Sequence, residues 1–235
     1  MRNKNELVII DEVEPCPYLP GETARMPLRM PLRPLTPESM DTLLAQGHRR
    51  TGEFIYQTNC PRCRACEPIR IDCRQFTFGT SWRRVLQRGN RTLRQEIGPL
   101  RCDSVRVSLF NKHRRLRGLS KDDNDIDRDE YQWGFVKSCF DSFEIAYYLH
   151  DQLVCLAVCD SGQDSMSAVY TFYDPEVKSL GLGTYSILKQ IELCLQKNWT
   201  YLYLGFYVED SAHMKYKSRF LPQQRLRNGI WRTYS

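Results

Sequence analysis

Three thiols fall within one short loop, Cys60-x-x-Cys63-x-x-Cys66, and Cys16 lies upstream as a potential fourth. Two readings stand side by side. Four thiolates suit zinc or an iron–sulfur cluster; the alternative is a compact loop of buried structural thiols. The remaining six of the ten cysteines lack ligand spacing and read as small core residues. A second chemistry is electrostatic. Between Arg83 and Arg117 there are 11 Lys/Arg against two acids, Glu96 and Asp103, whereas Lys121 to Glu130 carries two basic and six acidic residues. The basic stretch exceeds the whole chain's net charge of +6, a concentration that suits a polyanion partner or a solvated helix face. A third is the turn Lys178-Ser-Leu-Gly181-Leu-Gly183, just ahead of a helical pattern. Glycines let backbone N–H groups approach an anion, and a helix N-terminus favours negative charge.

These groups need elements to hold them. Residues 1–35 are proline-rich without periodicity and read as an extended segment packed onto something else. Thr36 as N-cap, Pro37 at the first helical position, an apolar face of Met40, Leu43 and Leu44, and Gly47 as the stop predict a helix. Glu53 to Gln57 and Pro68 to Asp72 read as short strands flanking the cysteine loop. Ser81 to about Glu96 predicts a basic amphipathic helix with Trp82, Val85, Leu86 and Leu93 on its buried side. Cys102 to Leu116 predicts another, with Val105, Leu109 and His113 on one face. The DDNDIDRDE segment is expected to be a polar surface connection. FEIAYYL, LVCLAVCD and SMSAVYTFYD then read as three strands joined by short turns, hence antiparallel neighbours. The glycine turn opens a helix to about Lys197, and TYLYLGFY is a strong strand after it.

At 235 residues, the chain fits one large domain or two small ones. The longest apolar stretch near the N-terminus, Leu7 to Ile10, is too short for a signal-peptide core, and no run approaches the roughly 20 residues of a membrane span. The expectation is a cytoplasmic protein with reduced cysteines and no membrane partner.

The strand–strand–strand–glycine turn–helix–strand order resembles the core of the N-acetyltransferase-like (GNAT) fold. That likeness implies an α+β class, with the glycine turn where GNAT proteins hold the pyrophosphate of acetyl-CoA. Five segments decide between acyl donors: residues 16–31, 47–71, 168–176, 182–192 and 201–223. In order and spacing they resemble the bacterial aspartate/glutamate leucyltransferases, relatives of the eukaryotic arginyl-tRNA–protein transferases. His48 stands where an aromatic is common and Thr51 where Ser is common; residues 95–135 match poorly and take no role from the family. The resemblance implies two regions: a cysteine-bearing extension, residues 1–75, and a GNAT-like transfer domain, residues 76–235. It implies transfer of Leu, or alternatively Arg, from its aminoacyl-tRNA to proteins beginning with Asp or Glu, which marks them for N-degron degradation. The alternatives are an acetyl-CoA-dependent N-acetyltransferase, which leaves the cysteine region unexplained, and a non-enzymatic RNA-binding module, which leaves the GNAT-like core unexplained.

The donor is already an activated ester, so the transfer needs no cofactor. The site must bring two large substrates into attack geometry, accept a proton from an amine of pKa roughly 7.7–8.0 and stabilise an oxyanion. An acidic acceptor side chain calls for a cationic clamp. Arg49 and Arg50 are the first candidates, Lys215 and Lys217 the second, and Arg25 and Arg70 lesser ones. The bland reading of adjacent arginines is a solvated pair. Asp174 is a candidate for holding the ammonium or taking its proton, and Tyr170 and Tyr185 for donating to the oxyanion, in the neighbourhood of Tyr207. Against these, tyrosines on strands usually pack, and Asp174-Pro175 is a good turn starter. Arg83, Arg84 and Arg88, with Arg91 and Arg94 beyond, and Lys178, Gly181 and Gly183 are candidates for tRNA phosphates. Eukaryotic relatives have been associated with an iron–sulfur cluster through cysteines in this region, in a different cysteine pattern.

Overall fold

The computed structural model describes residues 5–119 and 124–235; residues 120–123 of the acidic connection lie outside the described residues. The N-terminal part runs β1 (Glu6–Ile10), β2 (Val13–Pro15), β3 (Thr23–Arg25), β4 (Leu28–Pro31), α1 (Pro37–Ala45), β5 (Arg49–Thr51), β6 (Phe54–Tyr56) and β7 (Glu67–Asp72). The rest runs α2 (Thr80–Thr92), β8 (Leu93–Pro99), α3 (Ser104–Leu116), α4 (Arg128–Tyr131), β9 (Ser142–Leu149), β10 (Gln152–Ser161), β11 (Ser165–Tyr173), α5 (Leu182–Gln196), β12 (Tyr201–Tyr207), β13 (Gln223–Arg227) and β14 (Ile230–Tyr234). The proline-rich start is extended, as expected, but it builds small sheets of its own. One has the order β1-β4-β6-β5, and β2 pairs with β3.

The main sheet has eight strands in the order β14-β13-β7-β12-β11-β10-β9-β8. The three predicted strands are β9, β10 and β11, paired antiparallel. β12 lies parallel to β11, with α5 as the crossover between them. The near-continuous apolar run of β10 follows from burial on both faces. Cys155, Ala157 and Cys159 face the core beneath α2 and α5, while Leu156 and Val158 face the core beneath α3. Thr36 caps α1 as expected, its hydroxyl accepting from the Ser39 amide at 3.2 Å. Met40 and Leu44 of α1 pack on Tyr203.

Two expectations about helices need correction. The basic helix stops at Thr92, and Leu93 starts β8, which pairs antiparallel with β9 at the sheet edge. Leu93 is buried, but as a strand residue. The free edge of β9 satisfies the backbone there better than another helical turn would. In α3, Val105 is 55% exposed, and the buried face is Arg106, Leu109, Phe110 and His113. Arg106 turns inward because Glu144 lies beneath it and accepts its Nε–H at 3.1 Å. A buried ion pair thereby occupies the position that hydrophobic patterning assigned to an apolar residue.

Candidate active site

The parallel pairing of β11 with β12 covers only Ser165↔Tyr201, Met166↔Leu202 and Ser167↔Tyr203. Beyond it the two strands diverge, and β12 is bulged between Tyr203 and Phe206 along its pairing with β7. Gly205 within the bulge has φ +81°, a conformation that favours glycine. The result is a wedge between the C-terminal halves of β11 and β12, with the glycine turn and the start of α5 following β11.

Two cations converge on the bulge. Arg49 donates from Nη2 to the Gly205 carbonyl at 2.6 Å and from Nη1 to the His48 carbonyl at 3.0 Å. Lys217 donates from Nζ to the Phe206 carbonyl at 2.6 Å. Arg49 is 7% exposed and Lys217 8% exposed, so neither charge is relieved by water. Among the described residues no carboxylate pairs with either, and Arg49 Nε is buried with no hydrogen-bond partner. Burial pulls Arg49 down to about 10. Burial and the neighbouring Arg49 charge pull Lys217 down to about 7. The guanidinium stands over the rings of Phe206 at 5.5 Å and Tyr203 at 5.7 Å, with Tyr56 and Tyr18 nearby. Arg49 and Lys217 are thus two buried basic groups that, among the described residues, have carbonyls and aromatic rings around them and one donor without a partner.

Arg50 is not part of it. Successive side chains on a strand point to opposite faces, and Arg50 points away from Arg49. It makes a bidentate pair with Asp160 at 2.7 and 2.8 Å, and Ser142 donates to the same carboxylate at 2.6 Å. Its charge is already matched, so it is removed from the clamp. Lys215 is exposed, on the outer side of the 3-10 turn Lys215–Arg219 that brings Lys217 inward. Arg25 is held by Asp11 at 2.7 Å. Arg70 is sandwiched between the Tyr201 and Trp231 rings at 3.7 and 4.1 Å and donates to Gln224.

Tyr185 is also corrected. Its hydroxyl donates to Asn90 Oδ1 at 2.8 Å and its ring fills the space over Gly89, where an added Cβ would sit 2.2 Å away. It joins α5 to α2 and is 1% exposed, so it does not reach the wedge. Asp174 is buried, accepts from Lys112 Nζ at 2.8 Å and from the Glu176 amide at 3.0 Å. It is a turn residue whose charge is already paired with Lys112. Tyr170 lies on β11 past the point of divergence, its ring 5.6 Å from Phe110 and 5.5 Å from Phe135. Burial raises its hydroxyl, which therefore stays protonated. Tyr216 stands beside it: although 44% exposed, its hydroxyl is pushed up to about 12 by burial and by Tyr173 and Tyr170. Sequence reasoning passed over Tyr216, which lies between the two lysines in Lys-Tyr-Lys.

On the polyanion side, Arg83, Arg84 and Arg88 are all exposed on α2. α2 packs against both α5 and the short turn Lys178–Leu180. Gly181 has φ +59° and begins α5 with no side-chain cap, leaving the first backbone N–H groups free for an anion. Gly183 has a second reason to be glycine, since a Cβ would lie 3.1 Å from the Tyr173 ring. Lys178 is exposed beside them.

Burial and the nearby Cys60, Cys16 and Cys63 thiols push the Cys66 thiol up to about 12, so the four cysteines do gather. Yet among the described residues no group of three or more His, Cys, Asp or Glu side chains is arranged to hold a metal. Arg64 instead ties the loop by donating to the Cys63 carbonyl at 2.8 Å and to that of Cys60. As placed, the residues do not fit zinc or a cluster. The loop lies close to the clamp, since Cys66 acts on both Tyr18 and Tyr56 beside Arg49.

Residues 14–84 match the family model for the N terminus of arginine-tRNA-protein transferase, and residues 105–227 match the model for its C terminus. The aspartate/glutamate leucyltransferase of Acinetobacter baylyi is 34% identical over 92% of this chain and 80% of its own. That of Thiobacillus denitrificans is 36% identical over 92% of this chain and 90% of its own. Among solved structures, L-PGS from Bacillus licheniformis matches with a TM-score of 0.52 at 11% identity, over 73% of this chain and 59% of that one. At that identity the likeness concerns the fold alone, which is the GNAT-like α+β arrangement.

Proposed function

The chain belongs to the arginine-tRNA-protein transferase family, and from that premise we propose that it moves leucine from Leu-tRNA to the α-amine of proteins beginning with Asp or Glu. Aminoacyl transfer from tRNA to an acidic N-terminus is the activity of this family and is carried by this chain. Leucine as the donor is the finer step, supported by the names of both relatives. The observation that carries the acceptor side is the buried Arg49–Lys217 pair, which has no counter-ion among the described residues.

The acceptor's side-chain carboxylate binds between Arg49 and Lys217. This sets its α-amine in the wedge, against the ester carbonyl of the charged tRNA 3′ end. Attack forms the C–N bond, the C–O bond to the terminal ribose breaks, and the ribose oxygen leaves as a hydroxyl. The neutral Tyr170 hydroxyl donates to the developing oxyanion. The tRNA backbone runs over Arg83, Arg84 and Arg88, with Lys178 and the amides at Gly181 and Gly183 taking phosphates near its end. The transfer chemistry in this family needs no cofactor. The extension of residues 1–75 supplies Arg49 and residues 76–235 supply Lys217, which supports reading the two as joint builders of one site. No helix among the described residues is long and apolar enough to cross a membrane. A cytoplasmic location is supported by the substrates, charged tRNA and protein N-termini destined for degradation.

The deciding experiment offers labelled Leu-tRNA and Arg-tRNA to the protein with a peptide beginning with Asp. Transfer of leucine and not arginine is expected, and arginine transfer alone would overturn the leucine reading. A second expectation concerns the tRNA track. Changing Arg83, Arg84 and Arg88 together to Ala should flatten the dependence of log K for tRNA on log salt by about 2 to 3. The acceptor KM should stay the same. An unaltered slope would move the tRNA elsewhere.

A further inference from the structure

Deprotonation of the acceptor amine has no obvious agent, because Asp174 is occupied by Lys112 and Tyr185 lies outside the wedge. The acceptor arrives with its α-amine largely protonated at neutral pH, since that group titrates at roughly 7.7–8.0. We infer that Lys217 is the proton acceptor, and that the carboxylate of the incoming Asp or Glu switches it on. The inference rests on the proposed Arg49–Lys217 clamp and says what the lysine does within it.

The geometry makes Lys217 conditional. Its Nζ is buried, donates one hydrogen bond, to the Phe206 carbonyl, and faces the Arg49 guanidinium from β5. The other titratable groups around the pair are tyrosines: Tyr216 on its own turn with the ring 5.9 Å from Nζ, Tyr203 on β12, Tyr56 on β6, and Tyr18. His48, next to Arg49, is held neutral, pulled down to about 4 by burial, Arg29 and Arg49. Among the described residues nothing in this shell compensates a second positive charge. Without a bound carboxylate Lys217 is therefore poised near pH 7, with an amine lone pair available. A carboxylate placed between the two cations reverses the balance, because an opposite charge within about 4–6 Å favours the protonated lysine.

The step balances without any other reagent. The α-ammonium of the acceptor gives its proton to the Nζ lone pair, which becomes an ammonium paired with the bound carboxylate. The freed amine attacks the ester, and a second proton on its nitrogen ends on the departing ribose hydroxyl. When the product leaves, its carboxylate goes with it, Lys217 again faces Arg49 alone, and the proton passes to water. Acceptor recognition and amine activation then become one event. A neutral N-terminal residue both binds worse and keeps its proton.

Proton uptake on binding tests this directly. The probe is a peptide whose first residue is succinyl, an aspartyl group lacking the α-amine. It is titrated into the full-length protein by calorimetry at pH 8.5 in two buffers of different ionisation heat. With no ammonium to supply the proton, binding should take up about one proton from solution. Lys217→Met should bind the same probe with none. Binding without uptake by the wild-type protein, or uptake that persists in Lys217→Met, overturns the role of Lys217 and leaves the clamp standing. Equal affinity for the succinyl peptide and its neutral amide overturns the clamp and the inference with it. The wild-type titration decides even if Lys217→Met fails to fold.

Discussion

Replacing Arg49 with Met lowers kcat/KM for peptides beginning with Asp or Glu by about 10²- to 10³-fold, the size expected when one partner of a buried charged contact is removed. The loss should be confined to the acceptor. Affinity for charged tRNA should stay within about twofold, because the exposed α2 arginines and the glycine turn are untouched. The reasoning is that Arg49 already makes every contact a structural arginine would make, and still keeps a buried Nε without a partner. In the proposed clamp an incoming carboxylate would satisfy that donor and offset the repulsion between Arg49 and Lys217. Steady-state kinetics with the acceptor varied at saturating tRNA check the expectation. The control is Arg25→Met: that arginine is half-buried and its charge is already bound to Asp11, so acceptor kinetics should be unchanged. An Arg49→Met enzyme with ordinary acceptor kinetics would remove the clamp.

The neighbouring arginine gives an equally large effect of a different kind. Asp160→Ala leaves the Arg50 guanidinium buried and unpaired, which costs about 3–5 kcal/mol. The pair joins β5 of the small N-terminal sheet to β10, an interior strand of the main sheet. Its loss should therefore loosen the sheet that carries Arg49 as well as lower overall stability. Denaturant unfolding followed by tryptophan fluorescence measures it. Combining Arg50→Met with Asp160→Leu removes both charges and should recover most of the loss, since breaking a buried pair costs more than replacing it. A small effect of Asp160→Ala alone would mean that water reaches Arg50 and that the pair is not the tie between the sheets.

These two residues also show how far the sequence could be read. Both arginines were visible in His48-Arg-Arg-Thr-Gly, and the family resemblance pointed to the region. What separated them was strand alternation, which needs only the knowledge that Arg49–Thr51 is a strand. Which face met a carboxylate needed the fold, because Asp160 lies 110 positions away. The antiparallel run of β9, β10 and β11, the glycine turn and the strand after α5 were legible because their apolar patterns are strong and their turns short. The end of α2 was not, because pairing with β9 decides it, and pairing is a long-range event. The inward Arg106 hid the true face of α3 for the same reason: Glu144 beneath it is 38 residues distant.

Asn228-Gly229 sits between alternating residues, and both positions have positive φ, 51° and 75°. That is the signature of a tight hairpin, and it forms the β13–β14 turn. The hairpin adds two strands to the main sheet beyond β7, and Trp231 donates from its indole to the Ala45 carbonyl at 3.0 Å. It thereby holds α1, which leads directly into β5 and Arg49.

In the proposed clamp the counter-charge for Arg49 and Lys217 comes from the substrate. The most direct measurement compares acceptor peptides that are identical except for a first residue of Asp or Asn. Labelled Leu-tRNA is the common donor, and the acceptors are kept below saturation. Asp and Asn have nearly the same shape and differ in the carboxylate that would sit between Arg49 and Lys217. The account predicts that kcat/KM for Asp exceeds that for Asn by about 10²-fold or more, and that Arg49→Met erases most of the difference. Equal transfer to both by the wild-type protein would contradict it.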